Sequence, residues 1–357
     1  MGAISALNFN FMKNKRVSIK DIAKELSVSV TTVSFVLNGK AKEKRISEEV
    51  TNTILEYIKK VHYKPNQLAQ SLRTGESKIL VFMVEDISNL FFAKLARMFE
   101  DLAYRHGYKV LFCSNENDDK KSLELIDLFN ERQVDGFVII PSPGLQSKIK
   151  TLQSHNIPIV LLDRYYDGME VDYVGIDNQK ASRQGVEHLM NQGFINPAFI
   201  SIDVAQTQML GRLEGYKSFV AQHGLTENIV LLPFEMKIST EARAIVKEFF
   251  ENHPDLDSIL FATNYLTQLG MEVLRKHFPD RIDKLGIITF DDNELFTICN
   301  PAITAICQPL EEMAKETMTL MLELLKKSDD PRDYQTVILQ TALEIRESTK
   351  PLDKRKA

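Results

Sequence analysis

From Lys78 onward the chain alternates short apolar runs with amphipathic stretches, and this alternation constrains the fold more than any other feature. The runs are ILVFMVE, KVLFCS, GFVII, PIVLLD, YVGID, AFISI, IVLLPF, SILFAT, LGIITF and AITAIC. Each is too short for a buried helix and is followed by 12–18 residues of helical pattern, as in DDKKSLELIDLFNER and STEARAIVKEFFEN. Continuous apolar strands separated by helices read as parallel βαβ units with both sheet faces covered. Ten strands overfill one such sheet, so two sheets of five or six are expected. The body is therefore a two-lobed α/β domain with its ligand crevice at the strand C-termini.

The first 75 residues differ in charge. They hold 13 Lys/Arg against 6 Asp/Glu, whereas the remainder holds 31 against 43. A basic arm on an acidic body points to a polyanion met by the N-terminal unit alone. Three helical patterns fill that unit. Ser18 caps the first, with Asp21 three residues later as in a capping box, and Ile19, Ile22, Ala23 and Leu26 form its stripe. In SVSVTTVSFVLNG the strand-like alternation ends at Thr31. Ser29 can cap a helix from Val30, whose stripe is Val33, Val36 and Leu37 and which Asn38-Gly39 stops. Ser47 caps a third helix carrying Val50, Ile54, Tyr57, Ile58 and Val61. Three short helices with a tight turn between the first two are the layout of a helix-turn-helix unit. The second helix carries no Lys or Arg. Small hydroxyl residues there can approach base edges closely, while flanking Lys15, Arg16, Lys20, Lys40, Lys42, Lys44 and Arg45 supply the affinity for phosphate.

These residues carry a resemblance. SIKDIAKELSVSVTTVSFVLNG, continued by HYKPNQLAQSLRTGES, resembles the signature of the lactose/galactose-repressor (LacI/GalR) family of bacterial transcription regulators over residues 17–77. Position by position, the resemblance assigns base contacts to Val30, Thr31, Ser34 and Phe35. It assigns backbone contacts to Thr32 and Asn38, to which Ser18, Ser29, Arg45 and Asn66 are added as further phosphate contacts. PNQLAQSLRTG corresponds to the family's hinge helix, which makes Leu72 the minor-groove wedge and Arg73 its neighbour on phosphate or groove floor. Two positions depart from the pattern: Ser27 replaces the turn glycine, and Phe35 stands where many members carry arginine.

The body resembles the same family's periplasmic-binding-protein-like effector domain. DISNLFFAKLARMFEDLAYRHG is similar to its Asn-Pro-Phe-Phe motif with Leu90 in place of proline, which implies that Phe91 and Phe92 pack on the effector. MLGRLEGY makes Arg212 a donor to ligand oxygens, and LGIITFDD makes Asp291 an acceptor from ligand hydroxyls. FATNYLTQLG retains Asn264 but puts Tyr265 at the family's acid, and Asp163 in PIVLLDR ends a strand at the crevice mouth.

Enzymatic chemistry has no motif to rest on. G-x-G-x-x-G, G-x-x-x-x-G-K-[ST], G-x-S-x-G and H-E-x-x-H are all absent, and the seven histidines are dispersed. Cys113, Cys299 and Cys307 are too scattered for a disulfide framework or metal knuckle, so no cofactor or metal is expected and a cytoplasmic location is. No run of 18 apolar residues suggests a membrane span.

The expected organisation is a disordered leader (1–15), a helix-turn-helix domain (16–64), hinge helix and linker (65–77), the two-lobed effector and dimerisation domain (78–347) and a tail (348–357). Because one such unit reads few bases, a homodimer on a palindromic operator is expected, and the resemblance places the helix FFAKLARMFEDLAYRHG where the family's lobes pair. ESTKPLDKRKA holds no leucine heptads, so no tetramerising coil is expected. The function expected is repression of carbohydrate-utilisation genes on double-stranded operator DNA, relieved by a sugar-type inducer. Two other readings stand beside it: a purine-type corepressor that strengthens DNA binding, and a sugar-binding protein whose basic arm is incidental.

Overall fold

The computed structural model describes residues 17–63, 75–236, 238–326 and 332–351. The chain divides into two units after Ser77. The expected leader and the hinge segment, with Asn66, Leu72 and Arg73, lie outside the described residues.

In the first unit, α1 (Ile19–Glu25), α2 (Val30–Leu37) and α3 (Glu48–Lys60) enclose a small core of Ile22, Ala23, Val33, Val36 and Ile54. The starts follow local chemistry. Ser18 and Asp21 form a reciprocal capping box, and Ser29 and Ser47 accept from the backbone N–H groups of Thr32 and Val50. The turn between α1 and α2 passes through Ser27 at φ +53°, a left-handed conformation that costs a non-glycine residue roughly 1 kcal/mol.

The second unit holds two six-stranded sheets. The first is ordered β11-β5-β4-β3-β1-β2, with β1 Ile79–Val84, β2 Lys109–Ser114, β3 Gly136–Ile139, β4 Ile159–Leu162, β5 Asp172–Ile176 and β11 Thr336–Leu339, all parallel. The second is ordered β12-β10-β9-β8-β6-β7, with β6 Pro197–Asp203, β7 Asn228–Pro233, β8 Ser258–Phe261, β9 Gly286–Phe290, β10 Thr304–Cys307 and β12 Ala342–Glu344. Its one antiparallel pair among the described residues is β10 with β12. Burial on both faces explains the unbroken apolar runs. Along β1, Leu80, Phe82 and Val84 enter one core cluster while Val81 and Met83 enter another across the sheet.

All ten expected strands form. Two more, β11 and β12, come from QTVILQTALEI, beyond the last strand the sequence reading placed. They are short edge strands with alternating or absent burial, so they lack the continuous apolar run that marks the others. The chain passes between lobes three times, at 176–178, 307–310 and 339–342, since the helix Leu310–Leu324 packs on the first sheet although it follows β10. The expected end of the body at 347 falls short. Ser348 and Thr349 are fully buried, with Ser348 Oγ donating to Ile287 O and accepting from Thr304 N, so they belong to the second lobe.

Candidate functional site

In the N-terminal unit, α2 turns Thr31, Ser34 and Phe35 away from its buried Val33 and Val36, with Val30 in its first turn and Asn38 at its C-cap. Val30 and Thr31 are exposed, while Ser34 and Phe35 are half-buried. Asn38 Nδ2 donates back to Ser34 O at 2.6 Å, and the Lys44 ammonium lies 5.6 Å from the Phe35 ring centroid. The expected backbone contacts are partly engaged in local bonds. Ser29 and Thr32 share a 2.8 Å hydroxyl bond, and Ser18 Oγ donates to Asp21. Arg45 is exposed at φ +53°.

In the second unit a crevice lies where the C-terminal ends of the two sheets face each other, with about 470 Å³ of empty space, part of it open to solvent. Five of the six residues expected at the effector site line it: Phe91, Phe92, Asp163, Arg212 and Asp291. Phe91 and Phe92 open the helix Leu90–Arg105, their rings edge-to-face at 5.1 Å, and Asn89 caps that helix. The sixth, Asn264, is displaced from the lining. Its amide donates to Asn89 Oδ1 at 3.1 Å across the lobes, and its neighbours Thr263 and Tyr265 face the space instead.

Asp163 and Asp291 occupy the same position in their lobes. Each is the residue after a strand, β4 or β9, each is left-handed (φ +66° and +67°), and each donates its N–H to the adjacent strand at 3.0 Å, to Val174 O or Ile306 O. Burial, opposed by Arg164 and Arg212, pushes the Asp163 carboxyl up to about 6. Burial also raises Asp291, against Arg212 and a 2.7 Å hydrogen bond from Gln308 Nε2.

Arg212 is held from three sides. Its Nε donates to Asn178 Oδ1 at 2.8 Å and its Nη1 to Ala262 O at 2.7 Å, while Nη1 lies 3.8 Å from Asp291 Oδ2. The guanidinium carbon also lies 3.8 Å from the Phe290 ring centroid. This array fixes the side chain without covering Asp291.

Sequence reasoning missed Glu85, Arg164 and Gln208, all buried and all lining the crevice. Glu85 follows β1 and Arg164 follows Asp163, so both continue an apolar strand, the same signal that picks out Asp163 and Asp291. Gln208 lies four residues before Arg212 in the helix Thr207–Gln222, on the same helical face. Its buried Oε1 accepts no hydrogen bond from the described residues. The lobes also touch through Gln206 Nε2 to Asn117 Oδ1, and through Tyr165 N to Thr207 Oγ1 at 3.3 Å. Among the described residues no cluster of three His, Cys, Asp or Glu could hold a metal, and no helix is long and apolar enough to cross a membrane.

Comparison with known proteins places both units. Residues 18–66 match the family described as bacterial regulatory proteins, lacI family, and residues 77–291 match the periplasmic binding proteins and sugar binding domain of LacI family. The Ribose operon repressor of Halalkalibacterium halodurans is 31% identical over 93% of this chain and 97% of its own length. Catabolite control protein A of Priestia megaterium is 28% identical, with 94% and 99% covered. The lac repressor dimer bound to operator and the anti-inducer ONPF has the same fold, with a TM-score of 0.80 at 17% identity over 94% of this chain and 100% of that one. The reading of the basic arm as incidental is overturned by the match over residues 18–66, which makes that arm a regulatory DNA-binding domain. The chain belongs to the LacI family of bacterial regulatory proteins, a family of DNA-binding transcription regulators rather than enzymes.

Proposed function

We propose that this protein is a cytoplasmic homodimeric repressor of carbohydrate-utilisation genes, and that a sugar-type ligand in the crevice lowers its affinity for a palindromic operator. The observation that carries this reading is the position of Arg212 and Asp291. They meet in the crevice and are tied by side chains at two of the three chain crossings, Asn178 and Gln308. A ligand engaging this pair therefore acts on the segments about which the lobes reorient, and its leverage is its difference in affinity between the two arrangements. The relatives named for ribose and catabolite control support a sugar over a purine-type corepressor.

On DNA, the exposed face of α2 reads bases through Val30, Thr31, Ser34 and Phe35, and Leu72 acts as the minor-groove wedge. Thr31→Ala is expected to relax base preference at one operator position by about 1–3 kcal/mol. An equal loss on every sequence would instead make Thr31 a phosphate contact. The full reading is tested by anisotropy titration of the intact protein against operator duplexes, with and without free sugars. Expected are a steep salt dependence and weaker binding when a sugar is present. Operator affinity that no sugar weakens would refute induction.

A further inference from the structure

The crevice has more acid than base. Among its described lining residues, three carboxyls, Glu85, Asp163 and Asp291, face two guanidinium groups, Arg164 and Arg212. Neither cation is idle. Arg212 is held by Asn178, Ala262 O and Asp291 as described. Arg164 donates through Nη2 to Glu85 Oε2 in a short bond, and through Nη1 to Asn117 Oδ1 at 3.0 Å and Pro141 O at 3.4 Å. Its Nε lies 3.6 Å from Asp163 Oδ2 and makes no hydrogen bond among the described residues. Both members of the Glu85–Arg164 pair are more than nine-tenths buried. The pair is assembled at the ends of four neighbouring strands of one sheet, because Glu85, Asn117, Pro141 and Arg164 follow β1, β2, β3 and β4. The buried Gln208 Oε1 adds one more acceptor that nothing among the described residues satisfies.

We propose that the buried Glu85–Arg164 pair makes this crevice selective for an uncharged, polyhydroxylated ligand over the phosphorylated or carboxylated form of the same ligand. This rests on the reading of the crevice as a sugar-type effector site. Ligand hydroxyls can donate to carboxylates and to Gln208 Oε1, which removes an unsatisfied buried acceptor. An added phosphate would meet a surplus of carboxylate in a desolvated space where like charges repel strongly. It would also have to compete with Glu85 for Arg164, breaking a buried pair already made.

The test uses intact protein and matched ligand pairs: D-ribose with D-ribose 5-phosphate, D-fructose with fructose 1-phosphate, and D-glucose with D-gluconate and glucose 6-phosphate. Thermal shift finds the binding pair and calorimetry measures both members. The parent sugar is expected to bind at least 100-fold more tightly than its anionic form. In Glu85→Gln, which returns the charge count to balance and frees Arg164, that ratio should fall at least tenfold. If this variant does not fold, the wild-type ratio decides alone. A phosphate ester or sugar acid that matches or outbinds its parent overturns the selectivity but leaves ligand-controlled regulation standing, as does an unchanged ratio in folded Glu85→Gln. If no member of any pair shifts the melting temperature, the sugar-site reading falls and the selectivity with it.

Discussion

The two lobes trace one path twice, with strand order 2-1-3-4-5 plus a late edge strand in each, but they arm their strand ends differently. Both place a left-handed aspartate after the fourth strand, Asp163 in one and Asp291 in the other. In the first lobe the matching cation is the next residue, Arg164, and its hydrogen-bond partners lie within that lobe. In the second lobe it is Arg212, brought from a helix and bonded to Asn178 just beyond the first crossing, while Asp291 is held by Gln308 at the second. The repeated aspartate is thus a property of the fold, and its partner decides its role. The first lobe carries the surplus of carboxylate, and the second connects the ligand to the crossings.

Neutralising the two aspartates separately should separate the roles of the two lobes most clearly. Asp291→Asn leaves Arg212 buried among neutral acceptors and takes from the ligand an acceptor that Arg212 orients. Truncating one member of such a pair typically costs about 2–5 kcal/mol, so calorimetry should show effector affinity falling at least about 30-fold while operator binding persists. Asp163→Asn should weaken the ligand less. Comparable losses at both positions would mean that the lobes are equivalent and that the crossings confer nothing on Asp291.

Asp163 is instead expected to show itself in stability. Its carboxyl ionises near 6 in the folded chain against an ordinary 3.8, so the folded state binds this proton more tightly than the unfolded state does. Its contribution is fully present below about pH 4, is lost as pH rises through about 6, and changes little above that. At roughly 1.4 kcal/mol per pKa unit the loss is about 3 kcal/mol. Asp163→Asn should therefore be more stable than the parent at pH 7.5 by up to about that amount, with the gap closing toward pH 4 in denaturant titrations. A gap that is the same at both pH values would show that burial of the charge is not its source.

How much of this was legible in the sequence follows the same division. Buried strands declare themselves because a parallel sheet covered on both faces demands unbroken apolar runs, and a charged residue directly after such a run has few places to go except the crevice. That logic finds Asp163 and Asp291 and, followed consistently, reaches Glu85 and Arg164. Gln208 carries no such mark, because an amide on a half-polar helix is commonplace until the fold leaves its oxygen without a donor. Asn264 stands differently: its place in FATNYLTQLG resembles a ligand contact, and its amide is bonded to Asn89 on the crevice lining, while its neighbours Thr263 and Tyr265 line the space. The edge strands β11 and β12 escape because edges need no continuous burial.

Two glycines, one in each lobe, sit under different kinds of constraint. A Cβ on Gly215, in the helix Thr207–Gln222, would lie 2.2 Å from Gln179 O, 2.9 Å from Ser182 Cβ and 3.0 Å from Arg183 N, mostly backbone of the crossing helix Asn178–Asn191. A Cβ on Gly136, at the start of β3, would meet Met321 Sδ at 2.7 Å and Pro158 at 3.1 Å. Methionine is unbranched and adaptable, so that contact can yield, whereas a helix backbone must shift as a unit. Gly215→Ala should cost about 2–3 kcal/mol in denaturant unfolding and, by moving the crossing helix that carries Asn178, also weaken the ligand. Gly136→Ala should cost about 1 kcal/mol and leave ligand affinity unchanged. Equal costs with no change in affinity would show that the helix bearing Arg212 is not seated against the crossing as tightly as these distances require.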